Sequence, residues 1–191
     1  MAALTQDLRL VLPLIDRKVV VLYLGVLLGT LPTWPYEVHL ALHILGAILL
    51  IGNAFVMAAW LVLPGSSSRD DRKRRAAVAV NVGDIWATVP GVLLLLANGL
   101  AMVGQRYGGE VAVSTVPFIG VGLVLLNLTG LIWLLRLVPI QLHMLRLARA
   151  DGPFDDRSFR RSLIGWSLWG IVATAMPIAA VVLMVAKPAL W

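Results

Sequence analysis

His39 and His43 stand four residues apart in the apolar run Val38–Leu63, so on a helix both imidazoles face one side. Together with the thioethers of Met102 and Met184 they form a donor set suited to copper, because Cu(I) favours imidazole and thioether ligands. The same residues can hold haem b through His43, with His39 or Met102 as the second axial ligand. Two histidines one turn apart do not easily reach opposite faces of one macrocycle, so Met102 or an open position is the better haem geometry. Glu37 and Gln105 fall at the same end of their spans. The chain has no cysteine, which removes disulfides, thiolate metal sites, thioether-attached haem and a thiol nucleophile from consideration.

Two other ionisable groups need a role. Asp84 opens an apolar run beside Asn81 and shares a helical face with Thr88, where it can cap a helix, pair with Arg136 across the mouth of a bundle, or pass a proton. His143 lies beyond Arg136 and leads into Arg146 and Arg149, a basic helix end suited to lipid headgroups, about a bilayer thickness from His43. No phosphate-binding GxxxxGK[ST], no GxGxxG after a strand, no HExxH and no GxSxG is present. The reading is of a non-catalytic protein.

The elements that must position these groups follow from composition. Of 191 residues 60% are hydrophobic and 14% charged, against about 25% charged in soluble domains, so the surface must face lipid. Four runs, Val38–Leu63, Asp84–Gly104, Val113–Leu135 and Leu163–Ala186, lack Lys, Arg and Glu and are long enough for a hydrocarbon core of about 30 Å. A shorter run, Val19–Leu31, reads as a short span or an interfacial helix, and its Gly25 and Gly29 form a GxxxG packing face. This divides the chain into an N-terminal amphipathic or short transmembrane segment, 1–35, and a four-helix transmembrane domain, 36–191.

The net charge of +6 is an orientation signal and does not indicate nucleic acid. Arg69, Arg72, Lys73, Arg74 and Arg75 separate the first two long runs, and Arg136, Arg146, Arg149, Arg157, Arg160 and Arg161 separate the last two. Basic loops stay in the cytoplasm, which puts the N-terminus and both basic loops inside and the histidines near the outer face, in a prokaryotic inner membrane. Trp34, Tyr36, Tyr107 and Trp191 then fall at the outer interface, and Trp60, Trp86, Trp133 and Trp166 at the inner one.

Small and polar residues mark packed faces in a membrane. The stripes are His39, His43, Gly46, Leu50, Asn53 and Met57 on the first span, and Asn81, Asp84, Thr88, Gly91, Leu95, Asn98, Met102 and Gln105 on the second. The third span gives Gly120, Leu123, Asn127, Gly130 and Leu134, and the fourth Ser167, Gly170, Thr174, Pro177, Val181 and Met184. Asn53, Asp84, Asn98 and Asn127 are therefore expected inside the bundle, the asparagines as interhelical hydrogen-bonding groups. Pro90 and Pro177 are expected to kink their helices.

The segments His43-Ile-Leu-Gly-Ala-Ile-Leu-Leu-Ile-Gly52, Asp84-Ile-Trp-Ala-Thr-Val-Pro-Gly91 followed by Asn98-Gly-Leu, and Leu183-Met-Val-Ala-Lys-Pro188 resemble the integral membrane family catalogued as domain of unknown function 2269. That family is similar in plan to copper-resistance-D-like membrane proteins. The resemblance runs from Val38 to Pro188; the segment before Pro35 and Leu50 depart from the pattern. It implies a four-helix membrane bundle and carries no assigned activity.

The expectation is thus an all-α integral membrane protein, a four-helix transmembrane bundle preceded by a short extra apolar helix, with four or five spans. Its function is read as a non-catalytic one with an outward-facing His/Met site for haem b or copper. The alternative is an accessory subunit of a larger membrane complex, docking through Gly25 and Gly29 and without a cofactor of its own. A transporter with a cavity around Asn53, Asn98 and Asn127 is a third reading.

Overall fold

A computed structural model describes residues 34–65, 69–107 and 115–188. The apolar run Val19–Leu31 with Gly25 and Gly29, and Trp191, lie outside the described residues. Those described are helical: α1 Tyr36–Gly65, α2 Asp70–Gly83, α3 Val89–Tyr107, α4 Pro117–Ile132, α5 Val138–Arg149 and α6 Asp156–Ala186. Two π-helical turns, Asp84–Thr88 and Trp133–Leu137, join α2 to α3 and α4 to α5 without a break. Four continuous helices result, each long and apolar enough to cross a bilayer, over Tyr36–Pro64, Asp70–Tyr107, Pro117–Arg149 and Asp156–Ala186. Hydrocarbon offers backbone N–H and C=O groups no partner, so runs of this length close their hydrogen bonds internally as helices.

The second and third spans are longer than the apolar runs predict. At about 1.5 Å per residue, the 38 residues of Asp70–Tyr107 cover about 57 Å, nearly twice the hydrocarbon thickness. The helix starts at Asp70 and Asp71, acidic residues that suit a helix N-terminus, so Arg72–Arg75 are helical rather than loop. Asp84 is accordingly in mid-helix and is not the N-terminal capping residue that its place at the border of an apolar run suggests.

Both π turns end two residues before a proline, at Pro90 and Pro139. A proline ring crowds the carbonyl four residues back and offers it no N–H. Here those carbonyls belong to Trp86 and Leu135, inside the widened turns, which take up the mismatch without breaking the helix.

The first and second spans pack backbone on backbone. A Cβ built on Gly46 would lie 2.6 Å from the Leu95 nitrogen and 2.7 Å from the Gly91 oxygen, and one on Gly91 would lie 2.9 Å from the Leu50 nitrogen. The seam continues with Gly99 under the His43 ring and Gly83 under Met57. Every residue of the first predicted stripe is buried or half-buried. The third stripe is out of phase: Asn127, Gly130 and Leu134 are exposed, and the inward face carries Gly122, Leu126, Thr129, Leu137 and Gln141. Thr129 fixes that face, its hydroxyl lying 2.9 Å from the Leu125 carbonyl and 3.3 Å from that of Ala173 on α6.

A cluster of buried apolar side chains spans the border between the apolar runs and the helix extensions at the basic end. Leu61, Ala77, Val80, Met144, Phe159 and Leu163 meet there between α1, α2, α5 and α6. Water supplies a hydrophobic drive at this end that hydrocarbon does not. Lys73, buried, pairs with Asp156 and sits 5.7 Å from the centroid of the Phe154 ring. Arg74 donates to the carbonyls of Ala148, Ala150 and Gly152, closing the C-terminus of α5 onto α2. Asp155 accepts from the Ser158 amide as the N-cap of α6, and that bond holds its carboxyl below the usual range.

Gly46→Val is expected to destabilise the bundle by about 1–3 kcal/mol, because the neighbouring atoms are backbone and cannot turn aside. Gly52→Ala, at a position where a Cβ meets nothing within 4 Å, should change stability by no more than about 0.5 kcal/mol. Thermal unfolding followed by size-exclusion chromatography in detergent separates the two; equal losses would contradict the seam.

Candidate functional site

Two polar clusters lie along the seam between the first two spans. At the end away from the basic segments, His39 is fully buried and its Nδ1 lies 2.8 Å from Oδ1 of Asn98. Asn98 spends its Nδ2 on the Leu94 carbonyl of its own helix, 2.8 Å away, so Oδ1 is the atom presented to His39 and receives the Nδ1–H. One turn further along α1, His43 Nδ1 lies 2.7 Å from the Leu95 carbonyl. A carbonyl only accepts, so His43 also carries its proton on Nδ1. Both imidazoles are thus anchored through Nδ1–H to the second span, and each retains an Nε2 lone pair. The Nε2 of His39 is buried with no hydrogen-bond partner, a costly state for a polar atom. Trp34 stacks on His39 at 6.1 Å between ring centroids, and Gln105 holds the Trp34 carbonyl at 2.9 Å.

Met102 is half-buried one turn beyond Asn98, at the Trp34 end of the seam. Met184 packs its methyl group over Gly122 of α4, between the third and fourth spans. Glu37 is exposed, two residues and so about half a turn from His39. No group of three or more His, Cys, Asp or Glu side chains suited to a metal occurs among the described residues.

The second cluster is centred on Asp84, the first residue of its π turn. Its Oδ1 accepts from the Thr88 hydroxyl at 2.9 Å and, more distantly, from Asn53 Nδ2 at 3.4 Å. Its Oδ2 accepts from Trp133 Nε1 at 3.1 Å and Gln141 Nε2 at 2.8 Å. Asn53 also donates to the Thr88 oxygen at 2.8 Å, making that hydroxyl a relay between the first span and the carboxylate. Three spans therefore converge on one carboxyl group. Trp133 is itself the first residue of the other π turn, so the two widened turns face each other across the Asp84–Trp133 bond. π turns recur at functional sites because they re-aim side chains.

Arg136 is not the partner of Asp84; its guanidinium lies 5.2 Å from the Trp169 ring centroid, on the exposed side of its helix. Of the asparagines, Asn53 bonds across helices, Asn98 bonds to His39, and Asn127 is exposed and donates only within its own helix, to Leu123. Asn127 is no interior group because its register faces lipid. The sequence pattern offers no reading of Gln141 and gives Trp133 only as an interfacial aromatic, although the eight-residue spacing of the two, with Thr129 four residues before Trp133, places all three near one helical face.

Beside Asp84 lies a cavity of about 790 Å³. Its wall is mostly aliphatic, with Asp84, Thr88, Gln141 and Trp133 at one pole. Gly130 and Gly170 also line it, and a Cβ on either would meet nothing within 4 Å.

The family model described as predicted integral membrane protein (DUF2269) matches residues 37–188. The chain belongs to this family. The matched stretch contains the histidine pair and the Asp84 cluster and, but for Tyr36, the four spans found among the described residues. No curated protein and no solved structure matches the chain.

Trp133→Phe keeps an aromatic ring but loses the fused five-membered ring with its N–H, and so removes one donor from Asp84. It is expected to cost about 1–2 kcal/mol of thermal stability, and less when combined with Asp84→Asn than the two single losses added together. Additive losses in that double-mutant cycle would show that the bond contributes nothing.

Proposed function

We propose that this family member is a non-catalytic, multi-pass inner-membrane protein that binds copper through His39 and His43, with Met102 as the third donor. The observation that carries the reading is the Nδ1–H anchoring of both imidazoles, on Asn98 and on the Leu95 carbonyl. Histidines that ligate metals characteristically donate their other ring N–H in this way, which fixes the tautomer and aims Nε2. The four-residue spacing on one helix is a chelating spacing, and a soft His/Met set selects Cu(I).

Copper is favoured over haem b at this position. The Cε1–Nδ1 edge of the His43 ring lies against Gly99, where a Cβ would come within 3.0 Å, and this close packing of the first two helices supports a small ion rather than a macrocycle between them. The distribution of Lys and Arg supports an orientation with the basic segments in the cytoplasm, so the histidines would be reached from the outer side.

Anaerobic titration of the detergent-purified chain with Cu(I), with copper and iron counted on the same sample, is expected to give about one copper per chain and no haem Soret band. His43→Ala should lose the copper while keeping wild-type helicity by circular dichroism. An intrinsic haem band that vanishes in His43→Ala would replace copper by haem b. A colourless, copper-free protein would overturn the site and leave the accessory-subunit reading, with Gly25 and Gly29 as the face to mutate.

A further inference from the structure

Asp84 is rich in hydrogen bonds but, among the described residues, has no counter-charge. Among the described residues its partners are Asn53, Thr88, Trp133 and Gln141, all neutral, and the ion pairs lie elsewhere, at Lys73 and Arg75. This set serves an ionised carboxylate: Oδ2 meets two N–H groups that can only donate, and Oδ1 meets the Thr88 hydroxyl, which can donate as well as accept. An ionised group inside a span calls for a compensating charge. Asp84 is only partly covered, and its open side borders the cavity.

We propose that this cavity binds a lipophilic monocation, a single positive charge on a bulky apolar body, which enters sideways from the bilayer. The volume of about 790 Å³ is that of a drug-sized ligand. Phe55, Ile171 and Ile178 line the cavity and are also exposed on the outer surface of the bundle, so its mouth opens to hydrocarbon. The wall is mostly apolar, with the hydroxyls of Thr129, Ser167 and Thr174 as further polar lining, and Asp84 is its one acidic group; beside it Trp133 adds an aromatic ring of the kind that attracts cations. A small metal ion would need several oxygen ligands and finds one carboxylate surrounded by donors. An anion meets like charge, and a neutral lipid leaves Asp84 uncompensated. The inference does not depend on the histidine pair.

Tetraphenylphosphonium and its anionic isostere tetraphenylborate provide the test, each titrated into the full chain in nanodiscs with tryptophan fluorescence and equilibrium dialysis as readouts. The cation is expected to bind saturably, near one per chain, and the borate not to bind saturably. Asp84→Asn should weaken cation binding at least ten-fold. Gly170→Phe projects a ring from a position where a Cβ meets nothing within 4 Å, so it should leave folding intact and abolish binding with Asp84 in place. Absence of saturable cation binding, equal affinity for the borate, or unchanged affinity in Gly170→Phe would each overturn the proposal, as would unchanged affinity in a folded Asp84→Asn. If Asp84→Asn does not fold, the borate comparison and Gly170→Phe still decide.

Discussion

The contact of Gly46 with Gly91 and Leu95 is backbone against backbone, and it sets the register in which the first two spans bring their polar residues together. Two helices that touch without intervening side chains cannot slide or rotate without collision. With Gly46 seated on Gly91, one turn towards Tyr36 brings His43 to Gly99 and the Leu95 carbonyl, and a second brings His39 to Asn98. In the other direction two turns bring Asn53 to Thr88 and Asp84. Neither cluster could form if the seam were displaced by a single residue, since each bond would then face a different side chain.

The third span is held differently. Its inward face meets the second span through Asp84, which accepts from Trp133 and Gln141, and it meets the fourth through Thr129 and the Ala173 carbonyl. These are hydrogen bonds, which constrain direction but permit space between the helices. At the basic end the same helices close again around Phe159, Leu61 and Met144, with Lys73 and Arg74 clamping the turn before α6. The bundle is therefore tight along the first two spans and at the basic end, and loose in the middle, where the cavity lies.

The seam is legible in the sequence because glycine and asparagine recur at helical spacing on both spans, with histidine on the first, and in hydrocarbon such residues are enriched on faces that pack or bond inward. The boundaries are not. Asp70–Gly83 is basic and polar, and nothing in hydropathy separates a solvated loop from a helix that continues into water. On the third span glycine and asparagine do not mark the inward face, and threonine does. Asn127 satisfies itself on Leu123 and can face lipid, whereas Thr129 lies within reach of a carbonyl on the neighbouring helix. The partners of Asp84 were hidden by a different cause: Arg136 matches it in charge, but the π turn at Trp133–Leu137 adds a residue to the local pitch and rotates Trp133 and Gln141 inward while Arg136 turns to Trp169.

Glycine has two opposite meanings in this bundle. At Gly46 and Gly91 the missing side chain admits a neighbouring backbone, and the space is filled. At Gly130 and Gly170 the missing side chains admit nothing from the protein, although both residues line the cavity beneath Asp84. A larger residue at either position would recover dispersion contacts that a void forfeits. A bundle shaped only for packing would gain by filling that space, and at its polar pole this one instead places an intramembrane carboxylate, four donors and two facing π turns. The hydrogen bonds of Asp84 therefore serve two ends: they tie three spans together, and they hold one carboxyl group at the edge of a space that those spans do not fill.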